Sequence, residues 1–288
     1  MSEAASSLSP RWTPLRRLLR EPLGAFGLAL VALVVLGAVF ADLLTGYDPV
    51  RLNPRDRFQG PSAAHLLGTD QLGRDLYARV LHGGRIALYV ALVSTAVSLV
   101  IGVVLGLIAG YGPRWLDNLL ILVFDAMKSF PTVMLALALV TITGPSLSAV
   151  ILVVILVTVP GYARIIRTQT IALKSAEFVD AARSMGAGTS RILRRHVLPN
   201  VIGPLVILAS MDIPVVIAIE AGMSFLGLGV RPPTPSWGSI LNDGFVAIRD
   251  TPWIAIAGGL PIVLTTLGFT FLGETLRDVF DPRLKRGR

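Results

Sequence analysis

The sequence contains no cysteine, which excludes a disulfide framework and any cysteine-ligated metal site. Charged residues are also scarce: they make up 15% of the 288 residues, against about 25% in soluble domains. By contrast, 53% of the residues are hydrophobic, and the mean hydropathy is +0.70. This composition excludes an ordinary soluble domain and indicates a protein that is embedded in a membrane.

Several signatures of catalysis are missing as well. There is no GxxxxGK followed by Ser or Thr, so we expect no ATP site in this chain, and there is no HExxH zinc pattern. The only histidines are His65, His82 and His196, all outside the apolar runs, so an intramembrane protease would lack its base or metal ligand. We therefore expect no enzyme activity and no cofactor or metal site in the chain.

What the sequence does contain is a series of long apolar runs. A helix needs about 20 apolar residues to cross the hydrocarbon core, and the runs predict six spanning helices and no strands. A signal peptide is the alternative for the first run, whose apolar core exceeds the usual length of roughly 7–15 residues. The predicted spans are residues 23–44, 86–110, 116–142, 147–166, 201–229 and 252–272.

The distribution of Lys and Arg predicts the orientation of these spans. Seventeen Lys and Arg residues fall in the two tails and in the loops on one side, and eight fall on the other side. Because cytoplasmic loops are enriched in basic residues, both termini and the loop between spans four and five should be cytoplasmic. The same rule explains the net charge of +8 without a nucleic-acid partner.

Two features of the second and third predicted spans carry structural predictions. Small residues at the GxxxG interval let two membrane helices approach closely, and Gly102, Gly106 and Gly110 form two overlapping GxxxG spacings. Asp125 and Lys128, one turn apart, predict a self-neutralising ion pair, with a proton relay as the alternative.

The fifth predicted span combines prolines with acidic residues. Pro214 stands between Asp212 and Glu220, two ionisable groups that a lipid-facing helix would not tolerate. The combination predicts a broken helix that lines a path through the protein.

A polar, basic stretch, residues 175–200, interrupts this apolar sequence. It predicts a short amphipathic helix that is ended by Gly186 and Gly188, then a second helix that begins at Thr189 or Ser190 and stops near Leu198, because Pro199 follows. One predicted face of the first helix carries Phe178, Ala181, Ala182 and Met185, and another carries Glu177, Asp180 and Ser184. An ordinary basic cytoplasmic loop is the alternative reading.

This stretch resembles the EAA loop of ABC-importer permeases. The matching positions are Asp180-Ala181-Ala182, then Gly186, then Leu198-Pro199. Asp180 departs from the usual Glu, and His196 stands where Ile is usual.

Further segments resemble the C-type permease subunit of the dipeptide, oligopeptide and nickel importers. They are Gly68-Thr69-Asp70 with Gly73-Arg74-Asp75 and Arg79, Ser224-Phe225-Leu226-Gly227-Leu228-Gly229 with Pro232-Pro233-Thr234-Pro235-Ser236-Trp237-Gly238, and Leu276-Arg277-Asp278 with Asp281-Pro282-Arg283-Leu284.

The resemblance implies a type I ABC-importer permease fold: an all-α membrane protein with six transmembrane helices and cytoplasmic EAA coupling helices. It also implies a homologous B-type permease subunit, two ATP-binding subunits that bind ATP and Mg, and an extracytoplasmic substrate-binding protein, all at a bacterial cytoplasmic membrane. The chain would then divide into a cytoplasmic tail (1–22), a first helix with its outer loop (23–85), the permease domain (86–272, with the coupling loop at 167–200) and a cytoplasmic C-terminal tail (273–288).

Function follows from the same resemblance. It implies a non-enzymatic subunit that forms half of a path for short peptides, with nickel complexes or glutathione as alternative substrates. The alternative from a different functional class is an ion-coupled secondary transporter. The implied coupling residues are Glu177, Asp180, Ala181, Ala182, Gly186, Leu198 and Pro199. Candidate path residues are Asp125, Asp212 and Glu220.

Overall fold

The computed structural model describes residues 18–280, and within that range the chain is helical with no strand. Five helices are long and apolar enough to cross a membrane, or six if one sharply bent pair counts as a span. This confirms the all-α membrane fold. The helices are α1 (Pro22–Val39), α2 (Ala41–Leu44), α3 (Leu76–Tyr111), α4 (Arg114–Ser129), α5 (Thr132–Thr143), α6 (Leu147–Lys174), α7 (Glu177–Ser184), α8 (Thr189–Ile192), α9 (Leu198–Phe225), α10 (Trp237–Val246) and α11 (Trp253–Phe280).

α3 and α6 approach each other closely, and glycines of α3 make this approach possible. A Cβ atom on Gly106 would lie 2.6 Å from the carbonyl oxygen of Ala163, and one on Gly110 would lie 2.7 Å from the Cβ of Thr170. Gly102 meets Tyr162 in the same way. Side chains at these positions would collide with α6, so the structure confirms the predicted close approach at the GxxxG stripe.

The third predicted span is broken, which the sequence interpretation missed. α4 and α5 meet at an angle of 91° across Phe130 and Pro131. Phe130 has the extended backbone (φ −85°, ψ 129°) that the residue before a proline prefers, and Pro131 has no N–H to continue the helix. The predicted span over 116–142 therefore consists of two helices joined by a sharp bend and is not a single helix.

The fifth predicted span shows the opposite error. α9 runs unbroken from Leu198 to Phe225 with Pro214 buried inside it, so the predicted break there is wrong. Pro199 does not end the preceding helix either: α8 continues through a π-helical turn, Leu193–Val197, directly into α9. Pro199 lies just after the π-helical turn, and the helical run continues past it.

Four other helices also differ from the prediction. α3 begins at Leu76, ten residues before the predicted start, because the Asp75 carboxylate accepts a hydrogen bond from the Ala78 N–H and caps it. α10 lies within a stretch that we predicted to be a polar connection, and Ser236 opens it with a capping box. α6 extends to Lys174 and α11 to Phe280, each well beyond its predicted end.

The orientation inferred from Lys and Arg can be tested at exposed positions. Ala63, Thr234 and Ser175 are all exposed, and the native chain has no cysteine to react in the background. Single cysteines at positions 63 and 234 should react with an impermeant thiol reagent in intact cells, and one at position 175 should react only after permeabilisation. Labelling at 175 without labelling at 234 would invert the orientation.

Candidate functional site

The stretch 175–200 folds as a helix, a tight turn and a second helix. At the end of α7, the N–H of Ala187 donates to the Ala182 carbonyl (3.0 Å) and the N–H of Gly186 donates to the Arg183 carbonyl (3.0 Å). These two bonds and a left-handed Gly186 (φ +81°) form a Schellman ending. Gly188, by contrast, has an ordinary extended conformation (φ −71°, ψ 159°). The glycine turn predicted from the sequence is therefore present, with its left-handed residue at Gly186.

The buried side chains of α7 coincide only in part with its predicted apolar face. Val179 and Ala182 are buried, whereas Phe178 is 44% exposed and Met185 is 82% exposed. Most of the predicted face through Phe178 and Met185 is therefore exposed, because α7 is anchored through Val179 and Ala182. Two large apolar side chains consequently project from the loop into solvent.

The remaining predicted coupling residues lie around this helix. Glu177, Asp180 and Ala181 are exposed, and Asp180 accepts a hydrogen bond from Arg183 (2.8 Å). Leu198 is half-buried and Pro199 exposed at the start of α9. The structure thus places the acidic residues and the two exposed apolar side chains on one short element.

An apolar core connects this loop to the spans. Val179, Ile192 and Val197 from the loop share one buried cluster with Tyr162 and Ile166 of α6 and with Val201 and Leu205 of α9. Lys174 adds a polar link, because its ammonium donates to the carbonyl of Tyr111 (3.0 Å) at the end of α3. A force applied to α7 would therefore reach three spanning helices through packed side chains.

The ionisable groups inside the spans are arranged differently from the prediction. Asp125 pairs with Arg164 of α6 and not with Lys128, so the predicted i, i+3 pair is wrong. Asp212 is half-buried. Glu220 is fully buried and accepts a hydrogen bond from the Ser224 hydroxyl (2.8 Å). Nowhere between residues 18 and 280 do three acidic or histidine side chains group closely enough to hold an ion, so these acids do not share one site.

A second charged cluster, at the opposite end of the bundle, was not assigned a role from the sequence. Asp70 contacts Arg74 (2.6 Å) and Arg79 (3.5 Å), and the carboxylate of Asp243 lies 3.5 Å from Arg74 and 3.8 Å from Arg79. Burial raises the pKa of Asp243, and the two arginines oppose that rise. The cluster joins the loop before α3 and the start of α3 to α10. In the sequence, only the closely spaced charges of Asp70, Arg74 and Arg79 could have indicated it.

Comparison with known proteins identifies the family of the chain. Residues 102–286 match the family model described as the binding-protein-dependent transport system inner membrane component. Residues 9–61 match the N-terminal transmembrane domain of oligopeptide transport permease C. The chain belongs to the family of binding-protein-dependent transport system inner membrane components. It is therefore an integral membrane permease subunit of a transport system, as the sequence resemblance implied.

The relatives of this permease include transporters with different named substrates. It is 39% identical to the dipeptide transport system permease protein DppC of Alkalihalophilus pseudofirmus, over 97% of this chain and 92% of the relative. It is 41% identical to the glutathione transport system permease protein GsiD of Pectobacterium atrosepticum, over 94% and 90% respectively. Its fold matches an inward-facing structure of the MetNI methionine ABC transporter with a TM-score of 0.57 and 20% identity, covering 70% of this chain and 97% of the other.

Proposed function

We propose that this permease forms half of the path of an ATP-driven importer for short peptides, and that the loop 175–200 is the surface on which a separate ATP-binding subunit docks. The observation that carries the docking proposal is a pair of exposed large apolar side chains, Phe178 in α7 and Met185 at the C-cap of α7. Isolated exposed apolar residues are common, but two within one turn-terminated segment, Phe178 in the helix and Met185 at its C-cap, favour a protein partner.

The way the loop is seated supports a coupling role. Val179 packs α7 onto the ends of the spans, and the Schellman turn at Gly186 sets the angle between α7 and α8. Movement of the docked ATPase would then pass to α6 and α9 as a rigid-body displacement. In this proposal Glu177, Asp180 and Ala181 provide polar contacts and space for the partner, and no residue of the loop performs chemistry.

The further assembly follows from the family. We propose a B-type permease subunit as the second half of the path, two ATP-binding subunits that hold ATP and Mg, and an extracytoplasmic binding protein that delivers the substrate, with both termini of this chain in the bacterial cytoplasm. The ionisable residues of the spans fit a path or a subunit interface, because such groups avoid lipid. Asp125, Asp212 and Glu220 remain candidates for that role.

An ion-coupled secondary transporter is less well supported. Asp125 is already neutralised by Arg164, and Glu220 is enclosed with Ser224 as its hydrogen-bond donor. These pairings leave the three acids separate. Dependence of uptake on a catalytically competent ATP-binding subunit distinguishes the two classes.

The substrate proposal rests on the relatives, among which peptide permeases are frequent. A strain that lacks this subunit should lose uptake of a labelled di- or oligopeptide, and the plasmid-borne gene should restore it. Uptake of labelled glutathione and of nickel is measured in parallel, because a glutathione permease is a relative of similar identity. Normal peptide uptake together with lost uptake of glutathione or of nickel would reassign the substrate. Normal uptake of all three would contradict the proposal.

A further inference from the structure

A large apolar cavity of about 590 Å³ lies at the end of the bundle that carries the charged cluster of Asp70 and Arg79. Its walls come from the second half of α1, the first turns of α3, the start of α10 and the first half of α11. Leu33, Leu36 and Leu260 are wall residues with half or more of their surface exposed. The cavity therefore opens sideways, onto the surface that the spanning helices present to their surroundings.

The size and lining of the cavity indicate a hydrocarbon ligand. An apolar cavity of about 150 Å³ accommodates benzene, so this one has room for a chain of roughly 15–20 carbon atoms. The walls are leucine, valine, alanine, proline and aromatic side chains, and the indole N–H of Trp237 already donates to the carbonyl of Val80 (2.8 Å). An extended polypeptide segment placed here would leave its backbone N–H and C=O groups without partners, which is costly in an apolar environment.

The rim of the cavity offers charges of both signs. Arg85 donates to the carbonyl of Ala38, a wall residue (2.6 Å), and to the carboxylate of Asp42 (2.8 Å). His82 contacts the other oxygen of Asp42 (2.9 Å). The side chain of Asp42 is 70% exposed and that of Arg85 is 37% exposed, so both keep hydrogen-bonding capacity for a ligand.

We propose that this cavity binds one acyl chain of a zwitterionic phospholipid, whose phosphate lies near Arg85 and whose ammonium lies near Asp42. The chain would fill the space between α1 and the helices α3 and α11, while the headgroup stays at the polar rim. The lipid would thus hold α1 against the bundle at the end where the direct contacts leave a gap. The proposal is independent of the substrate that the permease transports.

The first test measures retained lipid. The transporter is purified with its partner subunits, washed extensively in detergent and analysed by native mass spectrometry and by lipid extraction. The double variant Val34→Phe/Leu264→Phe narrows the cavity, since both residues line it. Val263→Phe is the matched control, because Val263 is 53% exposed on the same helix and does not line the cavity.

Wild type and the Val263→Phe control should each carry one more tightly bound phospholipid per complex than the double variant. Equal phospholipid content in all three, or a retained fatty acid in place of a phospholipid, would overturn the proposal. Should the double variant be poorly produced, Leu264→Phe alone provides the same comparison.

The second test uses Trp237 as a reporter inside the cavity. In the full chain with Trp12, Trp115 and Trp253 each replaced by phenylalanine, Trp237 is the single tryptophan. It is 1% exposed, so a quencher reaches it only by entering the cavity. Vesicles of phosphatidylethanolamine brominated on the acyl chains should quench its fluorescence, and Leu264→Phe should reduce that quenching. Unquenched Trp237 in bromolipid vesicles would mean that no acyl chain occupies the site.

Discussion

Uptake should fall tenfold or more when Gly186 is replaced by valine, while the chain still inserts in the membrane at normal levels. Gly186 is left-handed (φ +81°), and no atom lies within 4 Å of where its Cβ would be, so the substitution acts through the backbone alone. A left-handed L-residue costs about 1–2 kcal/mol, and a β-branched one is a greater outlier. The strain should open the turn between α7 and α8 and displace the docking surface.

The measurement is co-purification of the ATP-binding subunits with each variant, together with uptake and substrate-stimulated ATP hydrolysis. Gly188→Val is a matched control, because Gly188 also has no atom within 4 Å of its Cβ position but has the extended backbone that valine prefers. Gly188→Val should keep its ATPases and transport normally. Full ATPase retention and normal uptake in Gly186→Val would show that this loop is not the coupling surface.

The sequence predicted the features that depend on local backbone chemistry. The glycine turn after α7 was predictable, because few residues other than glycine adopt a left-handed conformation at a helix end. The close approach of α3 and α6 was predictable in the same way, since GxxxG leaves a groove on one helix face. Both features were confirmed at the expected residues, Gly186 and Gly106.

Features that depend on tertiary context were not predictable from the same signals. Pro131 ends a helix and Pro214 does not, although both lie in apolar runs, because packed neighbours decide whether a membrane helix tolerates the missing hydrogen bond. Asp125 pairs with Arg164, which is 39 residues away, instead of the adjacent Lys128. The burial of α7 was also not predictable from the spacing of its apolar residues: Phe178 is large and apolar but 44% exposed, whereas Val179 beside it is fully buried.

The second large effect should come from Gly106. A Cβ there would lie 2.6 Å from both the Ala163 carbonyl oxygen and the Cβ of Ile166, so the smallest side chain already collides with the backbone of α6. Gly106→Ala should destabilise the protein and Gly106→Val should do so more strongly, because overpacking in a tight interface costs about 1–3 kcal/mol or more. We expect a lower yield of detergent-extractable protein, a lower melting temperature and, in the valine variant, loss of uptake.

Gly161 supplies the control on the facing helix of the same pair. It is a glycine of α6 next to Tyr162, yet no atom lies within 4 Å of its Cβ position. Gly161→Val adds the same volume and the same β-branched side chain without meeting α3, so its melting temperature should stay close to that of wild type. The order of stability should be Gly161→Val, then Gly106→Ala, then Gly106→Val. Equal melting temperatures for Gly161→Val and Gly106→Val would mean that α3 and α6 are further apart than this packing requires.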